Sequence, residues 1–363
     1  CPLMIARYPA QLEYKQDLLK QSLIKYAQID PRKVAKVKAS EQVFGYRNQF
    51  KLPCAMEEGR LVSGLFMPNS NYFIDVKRCW IHEDGLERIR MDIMRVLNAH
   101  GCESYQPHDK KGIRNLVVRG FEGRYQCTIV TGNDELNESL IADLMRIKGV
   151  CSLWQSIHTV KKTPEVFGNK MIHLAGDTSL ALTFDGLQLQ ISPRSFFQLN
   201  SAQAVQLYRT IASMVKEGNE LIVEAYSGIG AISLYLKDKA KEIIGIESIK
   251  DAVVNANQNA KLNGCGHVSF LCDDAASKLT YLSKKRAIDV LVVDPPRSGL
   301  DDAMLDCILR SKIKNIVYVS CNPATLGKNL AVLGSRYNVE KIQPIDMFPH
   351  TPHVEAVVSL KRK

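Results

Sequence analysis

The chain has 363 residues, of which 45% are hydrophobic and 24% are charged, and its formal net charge is +10. This composition excludes a disordered or low-complexity protein, and the length is sufficient for roughly two or three domains. No apolar run approaches the ~18–20 residues of a membrane span. The positive charge favours an anionic partner, with nucleic acid as the first candidate.

The ten cysteines are widely spaced along the chain. The amino terminus resembles neither a signal segment nor a transit peptide, so a disulfide framework is not expected. These features predict a cytoplasmic protein that does not bind membranes. The chain begins at Cys1 and not at a methionine, from which we expect further residues upstream.

Apolar residues at helical spacing predict a helix over residues 8–28. The basic stretch 32–38 fits either a solvated strand edge or an RNA-facing surface. Residues 40–190 alternate between apolar and polar positions, as strands do, with two helices among them. Basic and aromatic residues are interleaved there, which suits contact with nucleic acid, although a solvated sheet face explains much of the pattern.

After residue 190 strands alternate with helices, which is typical of an α/β fold with a parallel sheet. Seven strands are predicted, at residues 221–225, 242–247, 267–271, 288–293, 315–320, 339–342 and 353–360. The last two are near enough in sequence to form an antiparallel edge. We therefore expect a seven-stranded Rossmann-like sheet preceded by an α+β domain.

The turn Tyr226-Ser227-Gly228-Ile229-Gly230 follows the first of these strands and opens a helix. Glycines there allow a ligand to approach the backbone. Glu247 ends the next strand, where a carboxylate can accept hydrogen bonds from ribose hydroxyls. Because the GxGxxG pattern of dehydrogenases is absent, a nucleoside-binding sheet of the S-adenosylmethionine type fits better.

Three further residues stand at strand ends, where open α/β sheets carry their chemistry. A β-branched run leads to Cys321, and two prolines fix the chain after Asp294. Glu355 precedes an apolar strand, so burial should raise its pKa into the range of a general base. His350 and His353 suggest a metal pair, but no set with zinc-type spacing completes it.

Seven motifs in chain order carry a resemblance to a known family. They are Gln11-Leu12 with Lys15, Tyr46-Arg47-Asn48, Phe197-Gln198-Leu199-Asn200, Tyr226-Ser227-Gly228-Ile229-Gly230, Asp294-Pro295-Pro296-Arg297, Ser320-Cys321-Asn322-Pro323 and His350-Thr351-Pro352-His353-Val354-Glu355. Together with Cys1 they resemble the RNA uracil-5-methyltransferases, which methylate carbon 5 of uridine in bacterial 23S ribosomal RNA or transfer RNA.

The resemblance implies a role for each matching residue. Cys321 is expected to be the nucleophile that adds to carbon 6 of uracil, and Glu355 the base that removes the carbon-5 proton. S-adenosylmethionine is expected to bind to Gln198, Tyr226, Glu247 and Asp294. Asp273 or Asp274 is a further candidate. This chemistry requires a thiol in a deprotonating environment and a base that is extruded from its stack.

The ribosomal-RNA branch of the family carries four cysteines that hold an iron–sulfur cluster. Cys1 matches the last of three clustered cysteines, and Cys79 matches the fourth, so the other two would lie upstream. The resemblance therefore implies a possible 4Fe–4S cluster and favours 23S ribosomal RNA. An RNA-binding barrel precedes this region in some relatives.

Two alternatives stay open. One is a methyltransferase for the T-loop uridine of transfer RNA, and the other is a non-catalytic RNA-binding protein on the same scaffold. The predicted domains are an N-terminal cysteine segment and helix (1–30), a central RNA-contacting α+β domain (31–190) and a methyltransferase domain (191–363). The default expectation for the oligomeric state is a monomer.

Overall fold

The computed structural model describes residues 1–160, 163 and 165–363. These residues form two compact units. The first unit comprises Cys1–Val43, Thr183–Leu189 and Ser195–Lys363, and the second comprises Phe44–Leu182 and Gln190–Arg194. The division into functional domains at residues 30 and 190 stays a prediction.

The described residues form helices and strands in the following order. The α-helices are α1 (Tyr8–Ala27), α2 (Asp84–Ala99), α3 (Glu138–Met145), α4 (Ser201–Met214), α5 (Ala231–Tyr235), α6 (Lys250–Leu262), α7 (Ala275–Lys285), α8 (Asp302–Arg310) and α9 (Pro323–Leu333). The strands are β1 (Gln49–Glu57), β2 (Arg60–Phe66), β3 (Phe73–Asp75), β4 (Ile113–Phe121), β5 (Arg124–Thr131), β6 (Val150–Ile157), β7 (Lys170–Gly176), β8 (Leu180–Phe184), β9 (Leu187–Ile191), β10 (Asn219–Ala225), β11 (Ala240–Glu247), β12 (Val268–Cys272), β13 (Val290–Val293), β14 (Asn315–Ser320), β15 (Tyr337–Ile345) and β16 (Glu355–Arg362).

The second unit is an α+β arrangement of one sheet and two helices, as the sequence predicts, but the sheet is mixed and not purely antiparallel. Its strands follow the order β3-β2-β1-β4-β5-β6-β7, and β5 and β6 run parallel. Helix α2 buries Leu86, Ile89, Ile93 and Leu97 at helical spacing. The alternation of apolar and polar residues over 44–52 predicts a strand there, but β1 begins only at Gln49, because Gly45 takes a positive φ of 59° and turns the chain.

The first unit contains the predicted seven-stranded sheet, in the order β12-β11-β10-β13-β14-β16-β15. Strands β10 to β14 are parallel, and β16 is antiparallel to both of its neighbours. Strand β13 is buried along its whole length, as is typical of parallel strands covered on both faces. The predicted antiparallel pair is confirmed, and β16 lies inside the sheet while β15 forms the edge.

Helix α1 packs against α9 in the first unit. Leu19 and Leu23 are buried in the core that the helices share with the sheet. A Cβ atom at Gly327 would lie 2.9 Å from the carbonyl oxygen of Ser22 and 3.0 Å from the Cβ of Tyr26. The close approach of the two helices therefore requires a glycine at this position.

The basic segment after α1 runs beside the edge strand β15. Val34 and Lys38 form parallel bridges with Ile342 and Ile345. The Ala35 N–H donates to the carbonyl of Ile342 at 2.9 Å. The strand-edge interpretation of this stretch is therefore the one that the structure supports. In the described part of the chain, no helix combines the length and the apolar character needed to cross a membrane.

Candidate active site

Three adjacent parallel strands, β10, β13 and β14, end at a common pocket of about 480 Å³. Tyr226, Asp294 and Cys321 are the residues that directly follow these strands. The pocket is lined by Phe196, Gln198, Leu199, Tyr226, Asp294, Pro295, Pro296, Arg297, Cys321, Phe348, His353 and Glu355. The structure thus brings both predicted catalytic residues together with three of the predicted cofactor-binding residues.

Cys321 and Glu355 meet because of the register between β14 and β16. Ser320 pairs with Ala356 across these antiparallel strands. The next position on each side is Cys321 on one strand and Glu355 on the other. Glu355 is 6% exposed, and Cys321 is half-buried. The pairing therefore delivers a thiol and a carboxyl group to the same side of the pocket.

The backbone after Cys321 is fixed by a helix cap. The Asn322 side chain accepts a hydrogen bond from the Ala324 N–H at 3.1 Å and caps α9, and Pro323 occupies the first turn. The same side chain donates to the carbonyl oxygen of Arg297 at 3.0 Å. These contacts attach the turn after Cys321 to the segment that follows Asp294.

The thiol lies in an environment that disfavours its ionisation. Burial raises the pKa of Cys321 to about 11, with further contributions from the charges of Glu355 and Asp294, while Arg297 acts in the opposite direction. The sequence predicts a deprotonating environment, and the structure differs because the thiol is half-buried and two carboxyl groups accompany it. A proton acceptor is therefore needed before the thiol can react.

Asp294 and Glu355 form an interacting carboxyl pair. Burial raises the pKa of Asp294 to about 7. Burial also raises the pKa of Glu355 well above its usual range, as the sequence predicts, and the charge of Asp294 adds to the effect. Two like charges in a poorly solvated site resist simultaneous ionisation. The pair can therefore hold or accept a proton near neutral pH.

The loop between β10 and α5 has an unusual backbone. Tyr226, Gly228 and Gly230 have φ angles of 65°, 54° and 81°, which lie in the left-handed region. The Gly228 N–H donates to the Glu247 carboxylate at 3.0 Å, and the Ile249 N–H donates to it at 2.9 Å. Glu247 is thus held against the glycine loop at the end of β11, and it is not among the residues that line the pocket.

The groups around this loop fit a nucleoside cofactor. The Ser227 hydroxyl is buried and makes no hydrogen bond within the described part of the chain. A Cβ atom at Gly228 would meet nothing within 4 Å, so there is space over the loop. The Glu247 carboxylate offers acceptors for sugar hydroxyls, and Gln198 lines the adjoining pocket. Donors, acceptors and space are therefore available for a ribose and an attached chain.

Asp273 and Asp274, the further cofactor candidates, have local partners. The Asp274 side chain accepts a hydrogen bond from the Ser277 N–H at 2.9 Å and caps α7. Asp273 lies 3.2 Å from the ammonium group of Lys278. These contacts give both residues a structural role at the start of α7.

The two cysteines proposed as cluster ligands lie in different units. Cys1 is exposed in the first unit, and Cys79 is half-buried in the second. The described residues contain no group of three or more His, Cys, Asp or Glu side chains that could hold a metal ion. An iron–sulfur cluster requires four thiolates. The described residues therefore do not by themselves complete a site for the cluster.

The two histidines of the last motif have different surroundings. His353 lines the pocket, and its Nδ1 atom lies 3.5 Å from Nη2 of Arg297. The ring of His350 is buried, with Nδ1 at 3.1 Å from Nε2 of Gln11. Neither Arg297 nor Gln11 was assigned a role from the sequence. Their positions in the Asp-Pro-Pro-Arg and Gln-Leu motifs were the available signals.

Comparisons with known proteins agree with this architecture. The family model described as tRNA (Uracil-5-)-methyltransferase matches residues 177–363. A Bacillus cereus protein named as an uncharacterized RNA methyltransferase is 36% identical over 372 residues, which cover 100% of this chain and 81% of that protein. A Listeria innocua protein with the same description is 34% identical over 371 residues, covering 100% and 82% of the two chains.

A solved structure is similar over almost the whole chain. It is the crystal structure of Pyrococcus abyssi tRNA (uracil-54, C5)-methyltransferase in complex with S-adenosyl-L-homocysteine. The TM-score is 0.81 at 27% identity, and the match covers 99% of this chain and 84% of that one. From the sheet, the strand-end pocket and these matches we conclude that the chain belongs to the RNA uracil-5-methyltransferase family and is an S-adenosylmethionine-dependent RNA methyltransferase.

Proposed function

We propose that the protein methylates carbon 5 of a uridine in RNA through a covalent adduct between Cys321 and carbon 6 of the base. The observation that carries this proposal is the placement of the Cys321 thiol and the Glu355 carboxyl group at adjoining ends of β14 and β16 in one pocket. Carbon 5 of uracil is a weak nucleophile, and addition of a thiolate to carbon 6 turns the ring into an enolate that is nucleophilic at carbon 5.

The carboxyl pair accounts for the protons in this scheme. An ionised Asp294 or Glu355 accepts the thiol proton and releases it to solvent, and the sulfur then forms a bond to carbon 6. After methylation, ionised Glu355 removes the proton from carbon 5, the electrons of that C–H bond re-form the C5–C6 double bond, and the sulfur–carbon bond breaks. The raised pKa values of both carboxyl groups suit groups that take up protons in turn near neutral pH.

The cofactor-binding residues are proposed from the same geometry. Glu247 would accept the ribose hydroxyls, while Tyr226, Gln198 and Asp294 would surround the rest of S-adenosylmethionine. The bound cofactor supplies an electrophilic methyl group on a positively charged sulfonium. Tyr226 is the first residue of the glycine loop after β10, and it also lines the pocket.

For the substrate we favour 23S ribosomal RNA, on the basis of Cys1 and Cys79 in the positions of cluster cysteines. The alternative is transfer RNA, which is supported by the similarity to the Pyrococcus abyssi enzyme, whose name specifies tRNA. A non-catalytic RNA-binding protein is disfavoured, because the pocket contains both the thiol and the carboxyl group. We further propose a monomeric, cytoplasmic enzyme with a central RNA-contacting domain over residues 31–190.

The test is methyl transfer from labelled S-adenosylmethionine to unmodified 23S ribosomal RNA and to unmodified transfer RNA, followed by mapping of the labelled nucleotide. Label at carbon 5 of a uridine in ribosomal RNA supports the favoured substrate. Label at a uridine in transfer RNA alone would favour the alternative, in which transfer RNA is the substrate. Label on an atom other than carbon 5, or in neither RNA, would reject the proposed reaction.

The 4Fe–4S cluster is proposed only from the two cysteines and takes no part in the reaction above. Iron and acid-labile sulfide can be measured after anaerobic purification of the protein and of its Cys79→Ala variant. Stoichiometric iron that is lost in the variant supports Cys79 as a ligand. Protein without iron under these conditions argues against a cluster in this chain.

A further inference from the structure

The loop between β15 and β16 (residues 346–354) leads directly into Glu355. Phe348 and His353 belong to this loop and line the pocket that contains Cys321. A displacement of the loop therefore moves the Glu355 carboxyl group relative to the thiol. The contacts that hold the loop come largely from α1, a helix with no residue in the pocket.

A buried ion pair joins α1 to the start of this loop. The side chains of Lys15 and Asp346 are both 0% exposed and form a salt bridge. The Lys15 ammonium group also donates to the carbonyl oxygen of Phe348 at 3.0 Å. The Tyr8 hydroxyl donates to the second carboxylate oxygen of Asp346 at 2.8 Å. One lysine thus fixes two residues of the loop.

A second attachment holds the middle of the loop. The His350 N–H donates to the side-chain oxygen of Gln11 at 2.8 Å, and the Leu3 N–H donates to the His350 carbonyl at 3.0 Å. His350 has a φ of 67°, which is uncommon for a residue other than glycine. Such a conformation persists when the surroundings impose it, and Gln11 provides part of those surroundings.

The residues around the start of α4 make a third attachment. The Gln203 side chain donates to the carbonyl oxygen of Asp346 at 2.8 Å. The Asn200 side chain donates to the carbonyl oxygen of Met347 at 3.1 Å. The backbone of the loop is therefore held from two helices, and the Lys15–Asp346 pair is the charged contact among these attachments.

Stability alone is a poor explanation for this pair. Removing two charges from water has a desolvation cost that offsets their attraction, and apolar residues of similar volume often stabilise a fold equally well. Burial also lowers the pKa of Lys15, and the charge of Asp346 opposes that effect. The pair instead contributes a fixed geometry, because the Lys15 ammonium group holds both the Asp346 carboxylate and the Phe348 carbonyl oxygen in place.

We propose that Lys15 and Asp346 are positioning residues that hold the β15–β16 loop so that Glu355 is placed against the carbon-5 proton of the bound uridine. This inference rests on the proposed function of Glu355. A displacement of about 1 Å at a reacting group can lower a rate on the order of 100-fold. Neither Lys15 nor Asp346 touches the substrate in this scheme, so the defect should concern the elimination step and not cofactor binding.

The test compares the parent with the double variant Lys15→Met/Asp346→Asn, which removes both charges, so that no buried charge is left without its counter-ion. The matched control is Arg310→Met/Asp306→Asn, which changes an exposed ion pair on α8 in the same way. We expect the double variant to lose roughly 10- to 100-fold in kcat, with the Kd for S-adenosylmethionine unchanged. The covalent protein–RNA adduct should accumulate above the parental level, and the control should match the parent.

Parental kcat together with a parental adduct level in the folded double variant would overturn the inference. If that variant does not fold, Gln11→Leu decides, because it removes the contact with His350 without burying a charge, and it should show the same accumulation of adduct. A Gln11→Leu variant with parental behaviour would then overturn the inference. Cys321→Ala is assayed in parallel, since turnover by that variant would reject the proposed function independently of the loop.

Discussion

Cys321 and Glu355 occupy matching positions on two antiparallel strands, one step beyond the pair formed by Ser320 and Ala356. Burial raises the pKa of the thiol, and the charge of Glu355 adds to that effect. The proposed mechanism assigns them to different steps, adduct formation and adduct breakdown. Single substitutions can therefore separate their roles.

Cys321→Ala should abolish methyl transfer, because no other thiol lines the described part of the pocket. Binding of S-adenosylmethionine should remain within a few-fold of the parent, as measured by calorimetry. Cys307→Ala is the matched control, since Cys307 is buried on α8, and it should retain activity. Substantial turnover by Cys321→Ala would remove this residue from the mechanism.

Glu355→Gln should stop the reaction after methylation, because an amide cannot accept the carbon-5 proton. Loss of a general base lowers rates by roughly 100- to 10,000-fold. The stalled protein–RNA adduct should appear as a slowly migrating band on a denaturing gel. The exposed Glu340 on β15 provides the control Glu340→Gln. Normal turnover without the band would contradict the role given to Glu355.

Glu247→Gln should weaken the binding of S-adenosylmethionine. The substitution removes the charge that is proposed to accept the ribose hydroxyls and that holds the Gly228 N–H. Hydrogen bonds to charged groups contribute about 1.5–3 kcal/mol, so the Kd should rise about tenfold or more. Glu242→Gln, on the same strand but paired with Arg286, is the control. Equal affinities in both variants would speak against ribose binding by Glu247.

Glu224→Gln should change how stability depends on pH. Burial raises the pKa of Glu224 from 4.5 to about 8, against the opposing hydrogen bonds from Ser233. Between about pH 4.5 and about pH 8, Glu224 is therefore protonated in the folded chain and ionised in the unfolded chain. The free energy of unfolding consequently decreases as pH rises through this range. The amide carries no such proton.

Thermal unfolding of the protein without ligand measures this effect. The Tm of Glu224→Gln relative to the parent should increase between about pH 5 and about pH 8, by an amount equivalent to a few kcal/mol. Glu220→Gln changes an exposed carboxylate on the same strand and is the control. A Tm difference that is constant across this range would show that Glu224 is ionised in the folded chain.

Much of the site could be predicted because its signals are local. Tyr226, Asp294 and Cys321 each follow an apolar run and precede a turn, so their place at strand ends can be inferred from neighbouring residues. The parallel strands follow from the alternation of such runs with helices.

The remainder depends on contacts between distant parts of the chain. Lys15 belongs to a motif shared with the family, but nothing in the sequence indicates that the fold buries Lys15 and Asp346 together as an ion pair. The raised pKa of the Cys321 thiol similarly arises from burial in the folded chain, to which the charges of Glu355 and Asp294 add. Local sequence patterns carry no information about which side chains will share a dry environment, and so these properties were not predictable.

The place of β16 inside the sheet has a consequence for biosynthesis. Strands β14 and β15 emerge from the ribosome before β16. In the sheet, however, β16 lies between them and pairs with both. Until residues Glu355–Arg362 emerge, β14 offers an open edge to any other extended chain. The nascent chain also lacks Glu355, the proposed base, for that period, so the proposed carboxyl group and the protection of the sheet edge arrive together, with one strand.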